Sequence, residues 1–295
     1  MSWIAIAVMA AALQTGRLVV QKILTGSLST VGATAVRFFF AVPFALLAVL
    51  LLVPEGLFTT AVSEPRVLLF AAAGALAQIL GTALQLSLFG DRNFAVATAF
   101  AKTETVQAIG LSALVLGEWV SLSAAGAIVL GFAGVMLLSL GGTGWRTLRP
   151  GPELTRGLLS GTAFAGAAVG FRGAALAVPA GSAFERALVV VLLATVVQSL
   201  SLLFWLLLRQ PTQLLAIARS WAPGVAVGAF GASASLGWFW AMALERAPLV
   251  RAVGQVEMLF AVLIAVFWFR EQVRVHELLG MGLLVISILF IGIFA

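Results

Sequence analysis

Residues 104–118 read ETVQAIGLSALVLGE, and residues 257–271 read EMLFAVLIAVFWFRE. The two stretches lie 153 positions apart, and in each a glutamate is followed by another 14 residues later. Glu104 falls on Glu257 and Glu118 on Glu271; the same shift sets Ala99 on Ala252, Ala108 on Ala261 and Val120 on Val273. Alanine and valine matches are cheap in an apolar chain, but two acidic coincidences among only 11 acidic residues are not. The sequence therefore reads as one unit written twice, and a repeat of this kind governs every later reading.

The surroundings of both stretches are apolar. Hydrophobic residues make up 62% of the 295 positions and charged residues 9%, against roughly 25% charged residues in a soluble domain. A water-soluble fold of this length has too large a surface to hide so much apolar side chain. Lipid resolves the conflict. A helix needs about 20 residues to cross the hydrocarbon, with its backbone groups satisfied internally. Ten segments fit: 2–24, 29–53, 66–88, 93–116, 121–141, 156–178, 183–208, 221–244, 248–269 and 273–294. Turn-like or polar stretches separate them, among them Pro54-Glu55-Gly56, Gly90-Asp91-Arg92 and Ala247-Pro248. Strand periodicity is absent over useful lengths. The longest polar interruption, GGTGWRTLRPGPE at 141–153, sits near the middle. The expected organisation is thus residues 1–141 as the first five-helix repeat, 142–154 as a linker loop and 155–295 as the second repeat. Five is odd, so the copies insert in opposite directions about a pseudo-twofold axis in the membrane plane. The expected fold is an all-α membrane protein of ten transmembrane helices in two inverted five-helix repeats.

Composition also excludes several functions. The net charge of +6 comes from basic residues scattered singly near helix ends, whereas a nucleic-acid footprint needs them clustered on one face. There are no cysteines, which removes disulfides, thiol catalysis and cysteine metal sites. His276, beside Glu277, reads as interfacial; no metal, cofactor or nucleotide-binding loop is expected. The first helix runs into Gln14, Arg17 and Lys22 without a small-residue cleavage pattern, so it reads as a first span and not as a signal peptide. Nine basic residues, from Lys22 to Arg274, flank the connections after odd-numbered spans, against Arg66 and Arg246 on the other side, with Arg251 nearby in a span. The positive-inside rule then puts both termini outside the cytoplasm.

Charges inside spans carry the functional reading, since each costs roughly 2.5–3.5 kcal/mol at a helix centre on insertion scales. Glu104 and Glu257 occupy equivalent depths of helices four and nine, where they could bind a substrate amine or carry a proton. Neutralisation by Arg17, Arg37, Arg172 or Arg186 is the alternative. Lys102 lies two residues before Glu104, about 200° around the helix, so each needs a partner elsewhere. Arg17 and Arg172, within helices one and six, offer the guanidinium fork that suits a carboxylate. Arg37 and Arg186, early in helices two and seven, and Glu118 and Glu271, closing helices four and nine, read as structural or gating charges. Trp238 offers a ring for stacking against a packed alternative. Gln78, Gln85 and Gln255 complete the candidate lining, and such amides equally bond between helices.

These features resemble the EamA family of the drug/metabolite transporter superfamily over essentially the whole chain. In that family each half ends its fourth helix on a Gly-Glu pair followed by a glycine-containing fifth helix. Here the corresponding stretches are LGEWVSLSAAGAIVLGFAGVMLL at 116–138 and FREQVRVHELLGMGLLVISILFI at 269–291. The second copy departs by carrying Arg270 for glycine, and the first places Gly126 one residue early. VRFFFAVPFALL from Val36 resembles the family's arginine-plus-aromatic entry to helix two, and Lys22 matches a common basic position. The resemblance implies ten helices around a central cavity, a function in exporting amino acids or other metabolites, and cytoplasmic termini, the last in conflict with the charge bias. The expected function is secondary transport of a small polar or zwitterionic, amino-acid-like metabolite, outward and by alternating access, not enzymatic catalysis. Its expected partners are the solute, the lipid bilayer of a bacterial-type inner membrane, and protons as candidate coupling ions. A monomer is compatible with this. A lipid-linked metabolite flippase, a membrane-embedded lipid-modifying enzyme and a non-transporting scaffold are the rival readings.

Overall fold

The computed structural model describes residues 2–24, 28–87, 100–140, 152–270 and 274–294. Among these the regular structure is entirely helical. The first half contributes α1 (Ser2–Leu24), α2 (Thr30–Phe39), α3 (Ala41–Leu52), α4 (Leu57–Ser63), α5 (Pro65–Leu86), α6 (Glu104–Leu116) and α7 (Leu122–Leu140). The second contributes α8 (Pro152–Ala177), α9 (Ala183–Arg209), α10 (Thr212–Arg219), α11 (Trp221–Leu244), α12 (Ala247–Gly254), α13 (Glu257–Phe269) and α14 (Val275–Phe294).

Three helix pairs keep the repeat. Helices α2 and α9, α6 and α13, and α7 and α14 each begin 153 residues apart, and α6 and α13 are both 13 residues long. Among the described residues six helical stretches are long and apolar enough to cross a membrane on length and composition: 30–52, 65–85, 122–139, 183–209, 221–244 and 275–293. Exposed side chains such as Leu50, Leu114 and Phe267 are the apolar surface that lipid solvates.

Three of the ten expected spans are interrupted within their described residues, 93–99 of the fourth span lying outside them. The segment 29–53 bends at Phe40 between α2 and α3. Pro43 explains it, because proline cannot donate to the carbonyl four residues back and its ring crowds that carbonyl. The equivalent position in the continuous α9 is Val196. The segments 93–116 and 248–269 are broken at Lys102-Thr103 and Gln255-Val256, again 153 residues apart. Short helices α4 and α10 occupy stretches expected as loops, each entered through a turn-former: Gly56 at φ 84°, and Pro211. Residues 152–154 of the expected linker already belong to α8, while 141–151 lie outside the described residues.

Two compact units divide the chain: 1–8, 77–169 and 245–295 form one, and 9–76 and 170–244 the other. Three boundaries fall within α1, α5 and α8 and the fourth between α11 and α12, so each unit draws on both halves of the sequence. In the first unit α7 packs along α14. A Cβ on Gly134 would lie 2.8 Å from the Gly280 carbonyl and 3.1 Å from Leu284 N, and one on Gly131 would lie 2.6 Å from Ser287 Oγ. The pairing runs antiparallel, and the 153-residue shift carries the Gly134–Leu284 contact onto Gly131–Ser287. Such close approach is what small residues permit in a membrane helix pair. In the second unit α9 packs against α2, α3 and α11. Gly170 of α8 crosses Gly74 of α5, and Phe171 stacks on Phe239 at 4.1 Å between centroids.

Candidate functional site

In the first unit, the two helix breaks place both repeat-matched glutamates at helix starts. Glu104 opens α6 and Glu257 opens α13, where a carboxylate is favoured by the positive end of the helix dipole. The backbone around each break tightens into i→i−3 bonds: Thr103 N donates to Phe100 O at 3.1 Å, and Gln255 N, Val256 N and Met258 N donate to Ala252 O, Val253 O and Gln255 O at 3.2, 3.1 and 2.9 Å. Short 3₁₀ stretches inside a helix commonly mark hinges. Threonines satisfy the freed carbonyls on the first copy, Thr103 Oγ1 donating to Phe100 O at 2.6 Å and Thr105 Oγ1 to Lys102 O at 3.3 Å. Gly161 of α8 makes room for the turn, since a Cβ there would sit 2.7 Å from Thr103 Oγ1.

Each glutamate is neutralised by a cation from the other half. Lys102 Nζ pairs with Glu257 Oε1. Arg251 of α12 donates through Nη2 to Glu104 Oε1 at 2.5 Å. Glu104 is only 4% exposed. The partners among the described residues are therefore Lys102 and Arg251. The cause of the asymmetry is visible in the repeat. The equivalent of Lys102 is Gln255, which is neutral, so Arg251 approaches from one turn earlier to supply the missing charge. Gln255 is buried and donates through Nε2 to Thr105 Oγ1 at 3.0 Å, while its Oε1 has no hydrogen-bond partner among the described residues. Four charges of zero net sum thus join the two halves at their breaks. Arg251 was legible as a charge within a span, but its partner was not, because the pairing departs from the repeat.

The remaining candidates of this unit are less central. Gln78 is half-buried in α5, its carbonyl oxygen accepting from Thr82 Oγ1 at 2.8 Å; Gln85 is half-buried on the same helix. Gly117 at φ 69° terminates α6, and Glu118 folds back to accept from Ser112 Oγ at 3.3 Å. Glu271 lies outside the described residues. Just before it, Arg270 holds φ 55°, the left-handed conformation of Gly117, its equivalent. Among the described residues no group of His, Cys, Asp or Glu could hold a metal ion.

The second unit collects the other candidates. Arg17 is 6% exposed and donates through Nη1 to Gln21 Oε1 at 2.7 Å; Gln21 Nε2 in turn donates to Ala33 O of α2 at 2.8 Å. Arg37 and Arg17 both lie against Gly231 of α11, where a Cβ would be 3.4 Å from Arg37 Cγ and 3.5 Å from Arg17 Cδ. Arg172 is buried and donates through Nη1 to the Met242 carbonyl at 2.7 Å. Arg186 is half-buried on the first turns of α9. Trp238 is 5% exposed, with Nε1 donating to Gln14 Oε1 at 3.0 Å, which ties α11 to α1.

At one end of this unit, Ser29 caps α2, accepting from Gly32 N through Oγ at 3.1 Å. Its own N–H donates to Gln213 Oε1 and its Oγ to Gln210 Oε1, both at 2.8 Å. The equivalent serine, Ser182, caps α9 by a capping box with Glu185, which accepts from Ser182 N at 2.7 Å. Glu185 is the equivalent of Gly32. The second copy satisfies its helix start locally; the first borrows an amide from the other half. Sequence reasoning missed this contact, which the serine match at 153 residues could have flagged.

No curated protein matches this chain. Among the solved chains that match, a crystal structure is similar over 100% of this chain and 98% of its own length, with a TM-score of 0.71 at 18% identity; at that identity the likeness concerns the fold alone. The model of the EamA-like transporter family matches residues 1–140 and 157–293, once for each half. With nearly the whole chain covered in two copies, the protein belongs to the EamA-like transporter family of the drug/metabolite transporter superfamily, and is a multi-pass membrane protein of a transporter family.

Proposed function

We propose that the protein is a secondary transporter that exports a small polar metabolite of the zwitterionic, amino-acid-like class by alternating access in a bacterial-type inner membrane. The observation that carries this reading is the crosswise pairing of Lys102 with Glu257 and Arg251 with Glu104 at two repeat-related helix breaks. Interrupted helices at matching positions of two repeats are how many transporters build solute and ion sites. A zwitterion is the natural competitor for such pairs. Its ammonium replaces a cation on a glutamate, its carboxylate replaces a glutamate on Lys102 or Arg251, and the net charge of the site is unchanged. A proton on Glu104 or Glu257 would release the same pairs, which makes both residues candidates for coupling.

In this reading Glu104, Glu257, Lys102 and Gln255 contact the solute at the breaks and Gln78 and Gln85 line the approach; the other substrate-binding candidates, Arg17, Arg172 and Trp238, belong to the second unit. Arg37, Arg186, Glu118 and Glu271 are structural or gating residues. The test is counterflow in proteoliposomes with amino acids, organic cations, nucleobases and sugars, with and without a pH gradient. Saturable exchange of a zwitterion that falls at least tenfold in Glu104→Gln and Glu257→Gln is the expected result. Unchanged exchange in both variants removes the glutamates from the mechanism, and exchange restricted to uncharged sugars removes the zwitterion.

A further inference from the structure

We propose that the face of α10 carrying Thr212, Leu215, Ala216 and Arg219 binds an anionic phospholipid, with Arg219 taking the phosphodiester and Leu215 the apolar part. The depth of α10 follows from its neighbours. Helices α9 and α11 are both long and apolar enough to cross the membrane, and residues 210–220 join them. Crossing the hydrocarbon takes about 20 helical residues, so the eight residues of α10 stay at one membrane face. One side of the helix is held by the protein: Gln213 Oε1 accepts from Ser29 N at 2.8 Å, and Ile217 is buried. Residues 212, 215, 216 and 219 follow the i, i+3, i+4, i+7 spacing of a single face, turned away from Gln213 and Ile217. Leu215 and, just past the helix, Trp221 are 57% and 64% exposed. Exposed apolar groups of this kind anchor a helix in the interface.

That face borders a cleft of about 410 Å³ lined by Thr212, Leu215, Ala216, Arg219 and Ser220. Arg219 and Thr212 are exposed, and Ser220 Oγ already donates to Ala216 O at 2.9 Å. The donors available to a ligand are therefore those of Arg219 and Thr212, with Leu215 and Ala216 between them. Charge selects the lipid. From Glu185 to Glu245 the sequence holds Arg186, Arg209 and Arg219 and no acidic residue in between. Arg209 is exposed at the end of α9, on the α10 side. Glu185 lies at the other end of that 27-residue helix, about 40 Å away. Glu55 and Glu64, the remaining acids of this unit, flank α4 at the same far end, where a Cβ on Gly181 would meet Leu57 at 2.7 Å. The α10 end thus carries two exposed arginines with the acids of its unit far away. Anionic headgroups gather at such basic positions beside a bilayer, and the arginine fork matches phosphate oxygens in pairs. The exposed Leu215 between the polar groups suits a lipid and offers nothing to free phosphate.

The experiment is native mass spectrometry of the purified full chain, released from micelles holding equal amounts of phosphatidylglycerol and phosphatidylcholine. Preferential retention of phosphatidylglycerol is expected. Arg219→Gln should weaken it about fivefold, the weight of one arginine at an anionic surface. Leu215→Asn keeps the charge and removes the apolar contact, and should also weaken it. Both side chains are exposed, so the packed side of α10 is left intact. Arg66→Gln, at the far end of the unit, is the control and should change nothing. Equal retention of the two lipids, full retention in Arg219→Gln, or an equal loss in Arg66→Gln overturns the site. Binding unchanged in Leu215→Asn overturns the lipid assignment, and displacement by inorganic phosphate then identifies a soluble oxyanion.

Discussion

At the scale of single residues, two positions test the reading. Arg270 sits in the left-handed conformation that Gly117 adopts in the other copy, and for a side chain bearing a Cβ this costs about 1–2 kcal/mol. Arg270→Gly should therefore raise stability by about 1 kcal/mol, seen as a higher unfolding midpoint in mild detergent; a lower midpoint would show that the guanidinium outweighs the strain. Lys102 faces the larger penalty. Lys102→Met leaves Glu257 partly buried without its ammonium, and breaking a buried pair costs about 3–5 kcal/mol. The double substitution with Glu257→Met should recover most of that loss. A double variant as unstable as the sum of the singles would mean that the two side chains do not act as a pair. The glutamates were legible in the sequence because they recur at one shift. Their partners were not, because Gln255 breaks the symmetry and Arg251 compensates from a position the repeat does not mark.

At the scale of elements, most helix boundaries were readable from apolar length and turn-formers, and the interruptions were not. The breaks at Lys102-Thr103 and Gln255-Val256 contain no proline or glycine immediately at the turn except Gly254 beside the second. They depend on side chains from neighbouring helices and on Gly161, all tertiary information. Pro43 marked the bend at Phe40 more openly. The capping of α2 and α9 gives an element-level test. Gln213→Ala removes the acceptor of Ser29 N and should destabilise the start of α2 by about 1 kcal/mol, measured as faster amide exchange over residues 29–33. Adding Gly32→Glu to that variant rebuilds the box of Ser182 and Glu185 in the first copy and should restore the protection. Protection unchanged by Gln213→Ala would show that Gln213 does not support this helix start.

At the scale of the whole molecule, the family, the helical class and the repeat were all present in the sequence, carried by the 153-residue shift and the low charge content. The two compact units were not, because each collects segments from both halves through α1, α5 and α8. The ion pairs of Lys102 with Glu257 and Arg251 with Glu104 fall within one unit and join both halves there. The account's central claim is that the polar groups of this fold serve solute passage. The direct measurement is counterflow into sealed vesicles holding the purified protein, loaded with unlabelled amino acids and organic acids and given the labelled compound outside. The account predicts transient accumulation of label above protein-free vesicles, without nucleotide and abolished when the internal solute is omitted. A correctly folded protein that moves none of these compounds faster than empty vesicles would contradict it.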